Sequence, residues 1–157
     1  EERLKQSKLI TFDSNTQWSE GPGERYGSGQ IVYPRLGQGA FRVVVTEAYN
    51  RRCAISGEKT LPVLEAAHIK PYSLEGPHQP NNGLLLRQDI HTLFDRGYIT
   101  VSKDLDIEVS KRIKKDYGNG REYYAFHGKK LIEVPERNID RPAAQFLQWH
   151  NENVYLG

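Results

Sequence analysis

Residues 64–100 read LEAAHIKPYSLEGPHQPNNGLLLRQDIHTLFDRGYIT, and the fold is decided in this stretch. Its start, with the two residues before it (PVLEAAHI, 62–69), predicts a short strand ending ahead of Pro71, because a proline pushes the preceding backbone toward extended conformations. SLEGPHQPNN (73–82) is a polar loop rich in turn residues, and Leu84–Leu86 forms an apolar return strand. Asp89 is placed to N-cap a helix over Ile90–Arg96, and Gly97 to stop it. The order is strand, loop, strand, helix.

On the N-terminal side, GAFRVVVTEAYNR (39–51) carries Phe41, Val44, Val45, Ala48 and Tyr49 at helical offsets, which predicts an amphipathic helix. Ile55–Glu58 reads as a turn. SEGPGERYGSGQ (19–30) has linker composition, so the chain divides into an N-terminal extension over 1–30 and a compact domain over 31–157. On the C-terminal side, Tyr98–Ser102 and Leu105–Ser110 flank Lys103-Asp104 as one hairpin. Tyr123–Phe126 and Lys130–Val134 flank His127-Gly128-Lys129 as a second. A final helix is expected over Pro142–Tyr155, with Asp140 as its cap. The expected class is α+β.

Composition sets outer limits. The chain has 157 residues and 18.0 kDa, which amounts to one domain at roughly 150 residues per domain. With 22 basic and 20 acidic residues the net charge is +2, so a nucleic-acid partner requires the positive charge to gather on one face. The longest apolar runs, Val43–Val45 and Leu84–Leu86, are far shorter than the ~18–20 residues of a membrane span, which argues against a membrane partner. EERLKQSKLI at the start has no apolar signal core. The single Cys53 excludes an intrachain disulfide and a CxxC zinc knuckle, and it favours a reducing, cytoplasmic setting. Methionine is absent even at position 1, which suggests a piece of a larger protein.

The chemistry sits in the central stretch. His68 ends a strand, Asn82 follows fourteen residues later, and His91 nine residues after that, inside the helix. Such an order can bring the three side chains to one point and suits phosphodiester hydrolysis. One neutral imidazole takes a proton from water. An amide holds that imidazole in one orientation and tautomer. A second imidazole binds a divalent cation that stabilises charge on the phosphate and the leaving oxygen.

Ala67-His68-Ile69-Lys70-Pro71, Asn82-Gly83-Leu84-Leu85-Leu86 and Asp89-Ile90-His91-Thr92-Leu93-Phe94-Asp95-Arg96-Gly97 together resemble the HNH nuclease family, whose site is a ββα-metal motif. PRLGQGAFR (34–42), Cys53–Gly57 and Phe146–His150 also look like one branch of it, found in bacterial restriction and defence nucleases, so the resemblance covers about 31–157. It implies a ββα-metal core with an N-terminal helix, added hairpins and a C-terminal helix. It implies His68 as general base, Asn82 as the orienting residue and His91 as a metal ligand. Many family members carry Asp, Glu or His immediately before the base as a second ligand, and Ala67 stands there instead. Asp95, four residues after His91 on the same helical face, is the first substitute; Glu65 is the other. The implied cofactor is a divalent ion, with Mg²⁺ expected first and Mn²⁺, Ni²⁺ or Zn²⁺ as alternatives.

The implied partner is double-stranded DNA. Arg35, Arg42, Lys70 and the run Lys111, Arg112, Lys114 and Lys115 are candidate phosphate contacts. The resemblance also implies a recognition or sensor domain ahead of the nuclease, and cleavage of both strands invites a homodimer. A reading of another class is an HNH-fold nucleic-acid-binding module with weakened catalysis, which Ala67 motivates. A nuclease that also cuts RNA is a third. Taken singly, His78, His127 and His150 read as surface or hydrogen-bonded residues, and Tyr123, Tyr124 and Trp149 as core residues.

Overall fold

The computed structural model describes residues 37–157. The extension, the boundary near residue 31 and Arg35 lie outside the described residues.

Helix α1 (Gln38–Ala48) buries Phe41 and Val45 one turn apart, and Tyr49 continues that buried line past its end. The helix stops earlier than the apolar spacing predicts, because Asn50 and Arg51 turn to left-handed backbone at φ 55° and 56°. A 3-10 turn over Leu61–Val63 leads into β1 (Leu64–His68), which pairs antiparallel with β2 (Gly83–Arg87). The register sets Leu64 opposite Arg87 and His68 opposite Gly83. Helix α1 packs on both strands and comes close at Gly83. A Cβ there would lie 2.6 Å from Val45 Cγ2 and 3.1 Å from Phe41 Cζ. The Tyr49 hydroxyl donates to the Gly83 carbonyl at 2.9 Å.

Helix α2 (Gln88–Asp95) follows β2 without a break and packs on β1, β2 and β3 through Ile90 and Phe94. Asp89 is not its cap. Arg87 occupies the N-cap position, and Asp89 lies in the first turn. There it accepts two bonds from the Arg87 guanidinium, at 2.7 and 3.0 Å, and one from the Tyr123 hydroxyl at 2.8 Å. Gly97 stops the helix as expected, at φ 84°.

Strands β3 (Ile99–Val101) and β4 (Ile107–Val109) form the first expected hairpin. The second does not form. Residues 112–117 make the short helix α3 (Arg112–Tyr117), and Tyr123 and Tyr124 end another, α4 (Arg121–Tyr124). Lys130 makes a single bridge with Asp106. The four-residue run Tyr123-Tyr124-Ala125-Phe126 is short enough to fit either element. Here the Tyr124 hydroxyl bonds the Ser110 carbonyl while the Tyr123 hydroxyl reaches Asp89, and these distant partners settle the helix.

The C-terminal helix α5 (Ala144–Asn153) packs on β3. Asp140 does not cap it either. It belongs to a separate 3-10 turn over Asn138–Asp140, and Ala143 stands at the N-cap. The architecture is thus α+β: two small antiparallel sheets with helices packed on them around one core. Among the described residues no helix is long and apolar enough to cross a membrane.

Candidate active site

Strand β1, its following loop and helix α2 line an open cleft of about 840 Å³, walled on the other side by α1. His68, His91, Glu65, Asp95 and Arg42 all line it.

His68 lies flat on Phe41 of α1, with ring centroids 4.0 Å apart and planes 11° from parallel. Its Nε2 is 2.8 Å from Nδ1 of His78 in the loop. Burial, reinforced by the neighbouring His78, pushes its pKa down to about 4. His68 is therefore neutral at physiological pH and carries a lone pair able to accept a proton.

Asn82 is fully buried but makes no hydrogen bond to the His68 ring. Its Oδ1 accepts from the Lys70 backbone N–H, and its Nδ2 donates to the carbonyls of Lys70 and Pro77, each at 2.9 Å. The expectation of a direct amide–imidazole bond is corrected here. Asn82 satisfies main-chain groups at both ends of the loop and holds its backbone closed. His68 lies two residues before one clamped end, and His78 one residue after the other.

His91 sits between two carboxylates. Its Nδ1 is 2.9 Å from Glu65 Oε1 on β1, and its Nε2 is 3.1 Å from Asp95 Oδ2 one helical turn on. The hydrogen bond to Asp95, then that to Glu65, raises its pKa to about 9, so the metal-free ring holds both protons at neutral pH. Two imidazoles in one cleft are thus driven in opposite directions. Ala67 itself is fully buried in the core beside this cluster.

Among the described residues no group of three or more His, Cys, Asp or Glu side chains is arranged to hold a metal ion. One imidazole nitrogen and one carboxylate remain as a ligand pair. That donor set fits a hard divalent cation, which keeps several waters and can take substrate oxygens as further ligands.

Of the candidate DNA contacts, Arg42 lines the cleft. Lys70 does not line it; its Nζ lies 5.6 Å from the centroid of the Trp149 ring. Lys111 precedes α3 and Arg112, Lys114 and Lys115 lie on it; none of the four lines the cleft. Arg112 pairs with Asp116 at 3.4 Å. His150 borders the cleft but is a buried structural residue, stacked on Phe94 at 3.8 Å. Its Nε2 donates to the Phe94 carbonyl at 2.9 Å, and its Nδ1 lies 2.7 Å from the Thr100 hydroxyl. His127 uses Nδ1 to accept from the Val109 N–H at 2.9 Å.

Residues 53–102 match the family model of the HNH endonucleases. Among solved structures, the chain is similar to one described as "Modification dependent TagI restriction endonuclease". The TM-score is 0.51 at 20% identity, over 76% of this chain and 38% of that one. The likeness is one of fold, and this chain spans well under half of the longer protein. No curated protein matches the chain.

Proposed function

We propose that the chain is a metal-dependent endonuclease that hydrolyses phosphodiester bonds of double-stranded DNA. One observation carries this reading: a cleft of an HNH-family segment holds both a neutral imidazole, His68, and an imidazole flanked by carboxylates, His91.

His68 accepts a proton from water as the water oxygen forms the new bond to phosphorus and the bond to the sugar oxygen breaks. Asn82 holds the loop that frames His68. Asp95 and the Nε2 of His91 would hold the cation, with Glu65 accepting from His91 Nδ1–H and keeping the ring in that orientation. A bound divalent cation, Mg²⁺ in the first instance, supplies Lewis-acid stabilisation of charge on the phosphate and the leaving oxygen. Arg42, which lines the cleft, is assigned to the phosphate at the cut, and Lys70 to a further phosphate. Lys111, Arg112, Lys114 and Lys115 are assigned to phosphates further along the duplex. A role in restriction or defence, a cytoplasmic setting, a recognition or sensor domain elsewhere in the whole protein and pairing into a homodimer belong to the same proposal. The restriction endonuclease of similar fold supports it by analogy alone.

The test is plasmid nicking with and without Mg²⁺, comparing the protein with His68→Ala. Metal-dependent nicking that the substitution lowers by about 10²–10⁴-fold supports the reading. The buried Ala67 favours the second reading, a binding module with weakened catalysis. A folded protein that binds DNA without metal and never nicks it would establish that alternative.

A further inference from the structure

Spacing singled out His68, Asn82 and His91 and left His78 aside, yet His78 makes the one polar contact to the His68 ring found among the described residues. The Nε2 of His68 lies 2.8 Å from the Nδ1 of His78. Three features hold His78 there. The Asn82 amide bonds the Pro77 carbonyl immediately before it at 2.9 Å. Tyr72 stacks on its ring at 4.1 Å, with planes 7° apart. Phe41, which fixes the plane of His68, also meets His78, at 5.9 Å in a tilted arrangement.

A neutral imidazole carries one N–H and one lone pair, so the two rings can share this hydrogen bond in either direction. If His78 donates, the His68 lone pair is used at Nε2, the Nδ1 of His68 bears the proton, and the ring cannot take another from water at that atom. If His68 donates, its Nδ1 bears the lone pair. The second arrangement alone makes His68 a base, because Nδ1 is its nitrogen without a hydrogen-bond partner among the described residues. It also leaves His78 as an acceptor facing the imidazolium that forms when His68 gains a proton.

We propose that His78 is a positioning residue for the base: its Nδ1 accepts from His68 Nε2–H and so keeps the His68 lone pair on Nδ1, the atom that takes the proton from water. This inference rests on the nuclease reading above. It gives Asn82 a physical task at a distance, since one amide clamps the backbone beside both imidazoles.

The experiment pairs tautomer spectroscopy with kinetics. Nitrogen-15 histidine NMR of the full chain reads the protonation of every ring nitrogen without any cleavage, and His68→Ala and His78→Ala assign the two rings. The expected wild-type signature is a protonated Nε2 and bare Nδ1 on His68, with a bare Nδ1 on His78. His78→Ala should lower kcat for nicking by about 10–100-fold, the scale of a lost orienting partner, with KM unchanged. His78→Asn, whose Oδ1 can occupy the place of the ring Nδ1 and still accept, should recover most of that loss where Ala does not. Thermal melting confirms that both variants are folded. A protonated Nδ1 on His68, or wild-type kcat in folded His78→Ala, overturns the inference while leaving the nuclease reading intact, provided His68→Ala abolishes nicking. If the wild-type protein does not nick DNA in any divalent metal, both fall together.

Discussion

At the scale of single residues, the cleft separates two imidazoles by their surroundings. His68 is half-buried against the Phe41 ring with the His78 ring beside it, an environment that disfavours charge. His91 lies between two carboxylates that favour it. A proton on His91 and a cation at the same nitrogen exclude each other, so cation uptake must expel a proton. With the pKa of His91 raised to about 9, the ring is protonated at pH 7. Calorimetric Mg²⁺ or Mn²⁺ titrations at pH 7, in buffers of different ionisation enthalpy, should therefore show close to one proton released per ion. His91→Gln should abolish that release. Asp95→Ala, which removes the proposed ligand, should weaken metal binding more than Glu65→Gln. The latter removes only the orienting carboxylate and should cost about 10–100-fold. Equal losses would mean that the two carboxylates share the ion.

At the scale of elements, two junctions hold the cleft in shape. The first is α1 against β2. Gly83→Ala would drive a methyl group into Val45 and the Phe41 ring on which His68 rests. The expected cost is about 1–3 kcal/mol of stability, with a fall in nicking because Phe41 must shift. Denaturant midpoints and nicking rates measured together check this. The second junction is α5 against α2 and β3, where His150 bonds the Phe94 carbonyl and Thr100 while Asn151 reaches the Thr100 hydroxyl at 2.8 Å. Burial lowers the pKa of His150 to about 4, against roughly 6.5 for an unfolded histidine. Between those values the unfolded chain binds more protons than the folded one. Stability from this group is therefore full above pH 6.5, falls as pH drops through the window and levels off below about 4. His68, lowered for the same reason, adds a loss of the same sign. Melting curves at pH 7 and 4.5 should show a smaller acid loss for His150→Gln than for the wild type, although the variant is less stable at pH 7.

At the scale of the whole molecule, a net charge of +2 cannot hold a polyanion by uniform attraction. DNA binding then depends on where the cations stand. Each phosphate contact contributes about −0.9 to the slope of log K against log salt. Arg42→Ala should make that slope shallower by about one unit and weaken binding to all sequences alike. Lys114→Ala with Lys115→Ala should change it by about two units. An unchanged slope for the lysine pair would remove α3 from the interface and leave Arg42 and Lys70 as the candidate contacts.

The sequence by itself determined the order strand, loop, strand, helix and singled out His68, Asn82 and His91 as candidates. Pro71, the loop composition, the Leu84–Leu86 run and Gly97 are local signals whose backbone consequences need no distant partner. It also placed Asp95 one helical turn from His91, a spacing set by the helix alone. Tertiary structure decided which groups meet. It brought Glu65 to the far nitrogen of His91, turned Asn82 to the loop backbone, set His78 against His68 and drew Asp89 away from its expected cap to Arg87 and Tyr123. It also put Tyr123 and Tyr124 at the end of a helix, Arg121–Tyr124, where a strand over Tyr123–Phe126 was expected. These contacts join segments packed together by the core, and side chains that can bond several partners take the one that packing supplies.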